Sequence, residues 1–238
     1  MGILYNRFTP EPQPQSLIPY SNQSDIVSYL VPSSFQGSSS TTWGDDYPKP
    51  MQRGGYGLWE YNSDDSVNLS VSQLSSGFSI PMPSPDSIST FTVYMVVKYH
   101  KFATTISNYL PGFQLVYATS GNTKINEAYN DSQVRAAIIS NNQSTYTSYL
   151  TPPGSPFGNY HAYAFRYQVN NFCHVIDDGN LTNITIPSIS SRSHYNFLFF
   201  VTTQWSVDVK FLSIVKGAES DSTILDNVHN IMTELNIP

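Results

Sequence analysis

The sequence predicts an all-β protein of two packed antiparallel sheets, with one helix at its C-terminal end. Three observations lead to this prediction. Most segments with a clear apolar period repeat every second residue, as strands do. Turn-forming residues separate these segments throughout the chain. Only the last segment has its apolar residues at helical spacing.

Strand candidates follow one another from Val67 onwards. The segment 91–97 is apolar on both faces, so we expect a central strand there. Three prolines are expected to prevent strand pairing just before this segment, namely Pro81, Pro83 and Pro85. The remaining strand candidates are 67–71, 113–117, 124–129, 134–140, 161–167, 172–176, 182–187, 196–201 and 205–215.

The last strand candidate changes phase along its length. Its apolar residues are at odd positions up to Phe211 and at even positions from Leu212. One extra residue near positions 210–212, a β-bulge, would keep both sets on the core side of the sheet. The alternative is a strand end that is buried on both faces.

The segment 220–235 is predicted to form a helix of about four turns. Ser220 or Asp221 can cap its start, where an acidic side chain also suits the positive end of the helix dipole. The apolar stripe consists of Ile224, Leu225, Val228, Ile231, Met232 and Leu235. We expect the helix to pack on the sheets through Ile224, Val228, Ile231 and Leu235.

Residues 1–19 are predicted to form a proline-rich N-terminal arm, and residues 20–238 a single domain. The arm takes an extended course because of Pro10, Pro12, Pro14 and Pro19. Its apolar end is a candidate anchor on a neighbouring subunit, through Ile3, Leu4, Tyr5 and Phe8. The alternative is a frayed terminus.

The stretch 20–63 is predicted to be mostly loop, and it holds the densest group of large aromatic residues. Aromatic rings beside Asp, Asn and Gly can form sugar sites, but rings in a long loop can equally cap the core. We expect the core role for Trp43 and Trp205. The candidate contacts for a glycan or a partner are Tyr47, Tyr56, Trp59 and Tyr61.

Composition argues against several classes of protein. The net charge is −6 and Lys and Arg are scattered singly, so we expect no nucleic-acid interface. No apolar run approaches the roughly 18 residues of a membrane span. The first residues lack the charged region and the long apolar core of a signal peptide. Cys173 is the only cysteine, so no intrachain disulfide is expected.

The order of several motifs resembles that of concanavalin A-like and laminin G-like domains over residues 40–238. Residues 161–167 and 172–180 resemble the family's hairpin with an Asp-Gly turn, in which Gly179 would take the positive φ. Residues 92–98 resemble its central strand, and 205–217 with 219–235 resemble its closing strand and terminal helix. Trp43, with the Gly-Asp-Asp that follows, resembles an element of its first loop.

This resemblance implies an antiparallel two-sheet jelly-roll sandwich with one C-terminal helix. It implies no single function, because lectins, adhesion modules, hydrolases and virion proteins share the fold.

The distribution of acids argues against a glycoside hydrolase and, with it, against an enzyme. Hydrolysis needs two carboxylates about 5–9.5 Å apart, and residues two apart on a strand are on one side at about 6.5 Å. No glutamate has an acid two residues away on a predicted strand, which holds for Glu11, Glu60, Glu127, Glu219 and Glu234. We therefore expect no catalytic residues and no cofactor.

Two pairs of adjacent aspartates are the only metal candidates. Calcium is bound by several oxygen ligands on a flexible loop. If the two loops converge, such ligands could come from Asp45, Asp46, Asp64 and Asp65. The interpretation that we favour is separate, solvated turn residues.

Three functions remain as hypotheses. The first is a non-catalytic viral (phage) surface protein that decorates a particle or adheres to host glycans, with the arm contacting other virion subunits. Its neutral-polar surface, with 12% charged residues, suits a location on a virion or outside a cell without a signal peptide. The second is a cellular carbohydrate-binding module, and the third, which we favour least, is a glycoside hydrolase.

Overall fold

A computed structural model of the protein describes residues 17–73, 77–82, 90–102, 110–117, 124–129, 132–139, 145–168, 170–186, 195–199, 201 and 205–238. These residues form two antiparallel sheets of eight strands each, two 3-10 turns and one α-helix. The 3-10 turns span Gln23–Asp25 and Pro32–Ser34. The prediction of antiparallel sheets with a single C-terminal helix is confirmed for the described part of the chain.

The first sheet, sheet A, carries the helix on its outer face. Its strands are β1 (Ile26–Leu30), β4 (Gly57–Asn62), β5 (Ser66–Val71), β7 (Phe91–Lys101), β12 (His161–Gln168), β13 (Asn171–Ile176), β14 (Thr182–Thr185) and β16 (Trp205–Lys216). Their order is β14-β13-β12-β7-β16-β5-β4, and β1 pairs with the second half of β16. The strand 91–97 is therefore central, as predicted.

The second sheet, sheet B, faces the inner side of sheet A. Its strands are β2 (Thr42–Trp43), β3 (Met51–Arg53), β6 (Phe78–Met82), β8 (Leu110–Tyr117), β9 (Lys124–Tyr129), β10 (Val134–Ile139), β11 (Thr145–Leu150) and β15 (Tyr195–Phe199). Their order is β11-β10-β9-β8-β15-β6-β3-β2.

Aromatic side chains join the two sheets. The ring of Phe91 on β7 is 5.1 Å from that of Phe197 on β15, and Phe113 on β8 is 6.0 Å from Phe165 on β12. Ring pairs at such distances stabilise a core beyond the area they bury. Trp43 and Trp205 are fully buried, which confirms their predicted core role.

The bulge predicted in the last strand is present at Lys210. Val209 and Phe211 are opposite the neighbouring residues Val97 and Val96, so Lys210 has no residue opposite it in β7. The extra residue keeps apolar side chains on both sides of the bulge in the core between the sheets.

The helix α1 spans Asp221–Leu235 and begins at the cap residue Ser220, whose Oγ accepts a 3.1 Å hydrogen bond from the Thr223 backbone N–H. Its buried apolar residues pack on the outer face of sheet A, and Leu235 lies partly buried beside them. They are Ile224, Val228, Ile231 and Met232. Leu225, a member of the apolar stripe that was not among the predicted packing residues, is 38% exposed because it lies away from the sheet.

The domain begins before residue 20. Ile18 is fully buried in the cluster beneath the helix, and the Leu17 backbone N–H donates a 3.0 Å hydrogen bond to the Tyr29 hydroxyl. Residues 17–18, which we assigned to the arm, therefore pack with the domain. The predicted anchor residues Ile3, Leu4, Tyr5 and Phe8 lie outside the described residues.

The stretch 20–63, predicted to be mostly loop, also contains the strands β1 to β4, which were missed at the sequence level. Two of these strands have only two and three residues, too few to show a period. Pro81 lies within β6, opposite Asn196, where β3 no longer pairs with β6. A proline is tolerated there because β6 has one neighbouring strand at that position.

Candidate functional site

The helix covers only one part of the outer face of sheet A. The other part is formed by β4, β5, the first half of β16 and the second half of β7, and we call it the open face. Four polar residues are directly opposite one another across these strands: Lys98 with Asp208, Asp208 with Asn68, and Asn68 with Glu60. A shallow cavity of about 480 Å³ over this row is lined by Asn62, Ser63, Asp64, Asn68, Lys98, His100, Ser206 and Asp208.

Asp208 is at the centre of the open face, with a side chain that is 5% exposed. Its Oδ1 accepts hydrogen bonds from the amides of Asn68 at 2.7 Å and Asn62 at 3.1 Å. Its Oδ2 is 2.6 Å from His100 Nε2 and 3.0 Å from Lys98 Nζ. Burial alone would raise the pKa of Asp208, but these hydrogen bonds and charges outweigh it and hold the pKa well below its usual value.

Lys98 connects this centre to Asp64 and Tyr160. Its Nζ is 3.1 Å from Asp64 Oδ2, which also accepts a 2.8 Å hydrogen bond from the Tyr160 hydroxyl. The Nζ atoms of Lys98 and Lys210 are 4.3 and 4.5 Å from the centre of the Tyr160 ring. Although burial opposes it, hydrogen bonding to Asp208 and Asp64 raises the pKa of Lys98 above its usual value. Burial and the bond to Asp64 raise the pKa of Tyr160 to about 12.

This geometry is suited to binding and not to acid catalysis. Hydrogen bonds from Ser66, Tyr160 and Lys98 outweigh burial and lower the pKa of Asp64, so Asp64 and Asp208 are both ionised at neutral pH. A glycosidase needs one carboxylic acid whose pKa is raised, so that it can donate a proton. Asp64 and Asp208 both bind Lys98, and neither has a raised pKa.

The structure places the four predicted contact residues in different environments and not on one surface. Trp59 is 2% exposed, stacks on Phe78 at 5.6 Å and donates its indole N–H to the Ser40 carbonyl, so its predicted contact role is wrong. Tyr56, just before β4, and Leu58 point to the outer side of the sheet and are 45% and 50% exposed, so they border the open face at its outermost strand. Tyr61 is 49% exposed but lies on the same side of β4 as Trp59, at the edge of the inner face.

Tyr47 lies elsewhere and is partly buried. Its ring stacks on Tyr29 with 5.1 Å between centroids, and burial raises its pKa. Together with Asp46 it lines a separate cleft of about 650 Å³. Tyr47 therefore does not share a surface with Tyr61.

The four aspartates do not converge on a metal site. Asp64 binds Lys98, Asp65 accepts from the Tyr61 hydroxyl, and Asp45 accepts a 3.0 Å hydrogen bond from the Thr42 hydroxyl. Among the described residues, no three His, Cys, Asp or Glu side chains are grouped so that they could hold a metal ion. The calcium candidate is not supported because the carboxylates of Asp45, Asp64 and Asp65 each have a different local partner.

Most residues of the open face were missed at the sequence level. They are Asn62, Asn68, Lys98, His100, Ser206 and Asp208. The alternation of polar and apolar residues in β5, β7 and β16 indicates that these side chains point away from the core. It does not indicate which strands are neighbours, so it could not bring them together.

Within the described ranges, no helix is long and apolar enough to span a membrane. No protein-family model and no curated protein matches the sequence.

Solved structures share the fold at low sequence identity. The binding domain of botulinum neurotoxin DC in complex with SialylT has a TM-score of 0.62 and 11% identity, over 87% of this chain and 51% of that one. The same domain in complex with rat synaptotagmin II has a TM-score of 0.61 and 10% identity, over 87% and 52%.

The binding domain of botulinum neurotoxin serotype G has a TM-score of 0.62 and 12% identity, over 85% and 50%. The chain spans about half the length of these neighbours and shares the β-rich fold of that half.

Proposed function

We propose that this chain is a non-catalytic glycan-binding module with a concanavalin A-like jelly-roll fold, and that the open face is its contact surface. The observation that carries the proposal is the row Lys98–Asp208–Asn68–Glu60, placed on four adjacent strands where the helix leaves sheet A uncovered. Strands hold side chains more rigidly than loops do, so this array is organised before a ligand arrives.

The chemistry of the open face favours a glycan over a protein. The face presents amide and imidazole donors beside carboxylate and hydroxyl acceptors, and a sugar hydroxyl can use both. The centre of a protein interface is usually depleted of charged residues, whereas Lys98 and Asp208 occupy the centre here. The apolar contribution to a glycan contact would come from Leu58 at the edge.

The structural neighbours support a binding role without specifying the ligand. One is in complex with SialylT and another with a protein, rat synaptotagmin II. Each is about twice as long as the matched part, so either ligand could be bound outside it. The support for a glycan therefore comes from the open face itself.

For the biological setting, we propose a surface protein of a virus, of the phage type, located on a virion or outside the cell. The supporting features are the neutral-polar composition and the proline-rich start of the chain, which would contact other virion subunits. A cellular carbohydrate-binding module uses the same site and is the alternative.

A second candidate function is docking to a neighbouring particle subunit. The specific observation that favours it is the exposure of Tyr56, Leu58 and Tyr61 along β4, the outermost strand of sheet A in the described part of the chain. Exposed apolar side chains on an edge strand are typical of association surfaces.

A glycan array tests the proposal. We would compare wild type with Glu60→Ala and His100→Ala, which change polar groups of the open face, and with Thr147→Ala, an exposed control on the distant strand β11. We expect binding to fall at least about tenfold in the first two variants and to be unchanged in the control. Equal binding in all variants would place the site elsewhere, and a blank array would favour subunit docking.

A further inference from the structure

A larger cleft than that of the open face lies beside β13 and β14, at the end of the strand order of sheet A opposite to β4. Its volume is about 660 Å³. It is bounded by the end of β11, by the turn between β13 and β14, and by the last turns of the helix. None of its lining residues belongs to the open face, so the two surfaces are separate.

The floor of the cleft is apolar. Leu150, Ile176 and Met232 are buried there, at 8%, 4% and 6% exposure. Pro152 and Pro153 extend this apolar lining along the loop that follows β11. A floor of this kind favours the C–H face of a ligand.

An aromatic ring is exposed in the wall of the cleft. On β11 the side chains of Ser148 and Leu150 are buried, whereas those of Thr147 and Tyr149 are exposed. This alternation turns Tyr149 outward, and the residue is 50% exposed. A half-exposed tyrosine beside an apolar floor can provide a stacking platform at a low entropic cost.

The polar part of the lining is the turn between β13 and β14, which is held in place by hydrogen bonds to a buried side chain. Asp177 has a φ of +50° and a buried carboxylate, which accepts from the Ala162 N–H and from His161 Nδ1, both at 2.8 Å. The prediction that Gly179 takes the positive φ is therefore wrong, since Asp177 does so and is held by its side chain. Gly179 is needed for space, because a Cβ there would be 2.8 Å from the Ile176 carbonyl oxygen.

His161 completes this support as a cation. Its second ring nitrogen, Nε2, is 3.0 Å from the Ser155 carbonyl oxygen, so both nitrogens face acceptors and both donate. Burial opposes the charge, but the bond to Asp177 outweighs burial and raises the pKa of His161. This buried pair fixes the turn that carries Asp178 and Asn180 into the lining of the cleft.

The charge of the cleft limits its ligands. No lysine or arginine is among the described residues that line the cleft, whereas Asp178 contributes an exposed carboxylate. The side chain beside that carboxylate is His229, whose Nδ1 is 3.2 Å from Asp178 Oδ1 and which is exposed to solvent. Phosphate, sulfate or carboxylate groups would be repelled without a compensating donor.

We infer that this cleft is a second ligand site and that it binds an uncharged pyranose sugar. The C–H face of the ring would lie against Tyr149 and the apolar floor, and its hydroxyls would bind Asp178, Asn180 and Thr182. Such a ring has one apolar face and a polar rim, which matches the arrangement of the cleft. The inference does not depend on the open face.

The test uses the full chain and a panel of neutral oligosaccharides that consist of hexoses and N-acetylhexosamines. The panel also contains a sialylated version of each oligosaccharide. The variants are Tyr149→Ala, Tyr149→Phe and Asp178→Asn. Thr147→Ala is the matched control, since it changes an exposed residue of the same strand outside the cleft. Glu60→Ala reports on the open face separately.

We expect at least one neutral oligosaccharide whose affinity falls about tenfold or more in Tyr149→Ala. Affinity should stay within about threefold in Tyr149→Phe, which keeps the ring, and in Thr147→Ala. If neutral sugars bind and only Glu60→Ala abolishes their binding, the inference is overturned and the open face is the site. A sialylated ligand that depends on Tyr149 and outcompetes its neutral version would overturn the assignment to uncharged sugars.

Discussion

Asp208 and Asn68 are directly opposite each other on β16 and β5, and the Asn68 amide donates a 2.7 Å hydrogen bond to the Asp208 carboxylate. The same carboxylate binds Lys98 and His100 on β7. One nearly buried charge therefore organises side chains from three neighbouring strands, and its removal should affect both the open face and the stability of the sheet.

We expect Asp208→Asn to lower the free energy of unfolding by about 2 kcal/mol at pH 7, because hydrogen bonds to a charged group are lost. The pKa of Asp208 is lowered in the folded protein. Its contribution is thus complete above the pKa of the unfolded chain, about 3.9, and disappears as the pH falls towards the folded value. In urea titrations, the difference in unfolding free energy between wild type and Asp208→Asn should be smaller at pH 3.5 than at pH 7. The control Glu60→Gln, an exposed residue of the same row, should change stability by less than about 0.5 kcal/mol.

A buried histidine predicts a separate dependence on pH. His174 lies between the Tyr163 hydroxyl at 3.0 Å and the Ser148 hydroxyl at 2.9 Å, and burial lowers its pKa from 6.5 to about 3. Because only the unfolded chain binds the proton in this window, stability decreases as the pH falls from 6.5 towards 3. Between pH 7 and pH 5, wild type should lose up to about 2 kcal/mol more than His174→Gln. Equal losses in both proteins would show that His174 does not stay neutral.

The helix offers a matched pair of truncations. Ile231 is 1% exposed against sheet A, whereas Leu225 is 38% exposed on the same helix. We expect Ile231→Ala to cost about 2–4 kcal/mol of unfolding free energy and Leu225→Ala less than about 1 kcal/mol. Similar costs for the two variants in urea titrations would contradict the packing of this helix.

The start of the domain can be located by two deletions. Removal of residues 1–16 should leave stability unchanged within about 0.5 kcal/mol. Removal of residues 1–19 also removes Ile18, which is fully buried, and should cost about 2–4 kcal/mol. Thermal unfolding of both truncated proteins distinguishes the two, and a large loss from the shorter deletion would place part of the arm in the core.

Sequence periodicity predicted the elements that are long enough to show it. The helix and the bulge in β16 are of this kind, since an apolar stripe and a change of phase are properties of neighbouring residues. The strands β2 and β3 are too short for a period. In β4 large apolar side chains occur on both faces, Leu58 on one and Trp59 and Tyr61 on the other, so the pattern does not show which side is buried.

The two candidate sites could not be predicted from the sequence, for a different reason. Asn68 and Asp208 are 140 residues apart and meet only because β5 pairs with β16. The cleft similarly brings Tyr149 together with Asp178 through the arrangement of two sheets and a helix. Strand order and register determine these contacts, and they are not contained in any local pattern.

The extra residue at Lys210 also divides β16 between two environments. Before it, the outward side chains, such as Ser206 and Asp208, lie on the open face; after it, the outward side chains, such as Phe211 and Val215, lie beneath the helix. Deleting Lys210 would remove the bulge, and Leu212 and Ile214 would stay in the core, because Val209 and Phe211 already face the adjacent residues Val97 and Val96. The orientation of the second half of the strand therefore depends on Lys210 remaining outside the ladder, since pairing Lys210 with β7 would turn Leu212 and Ile214 out of the core.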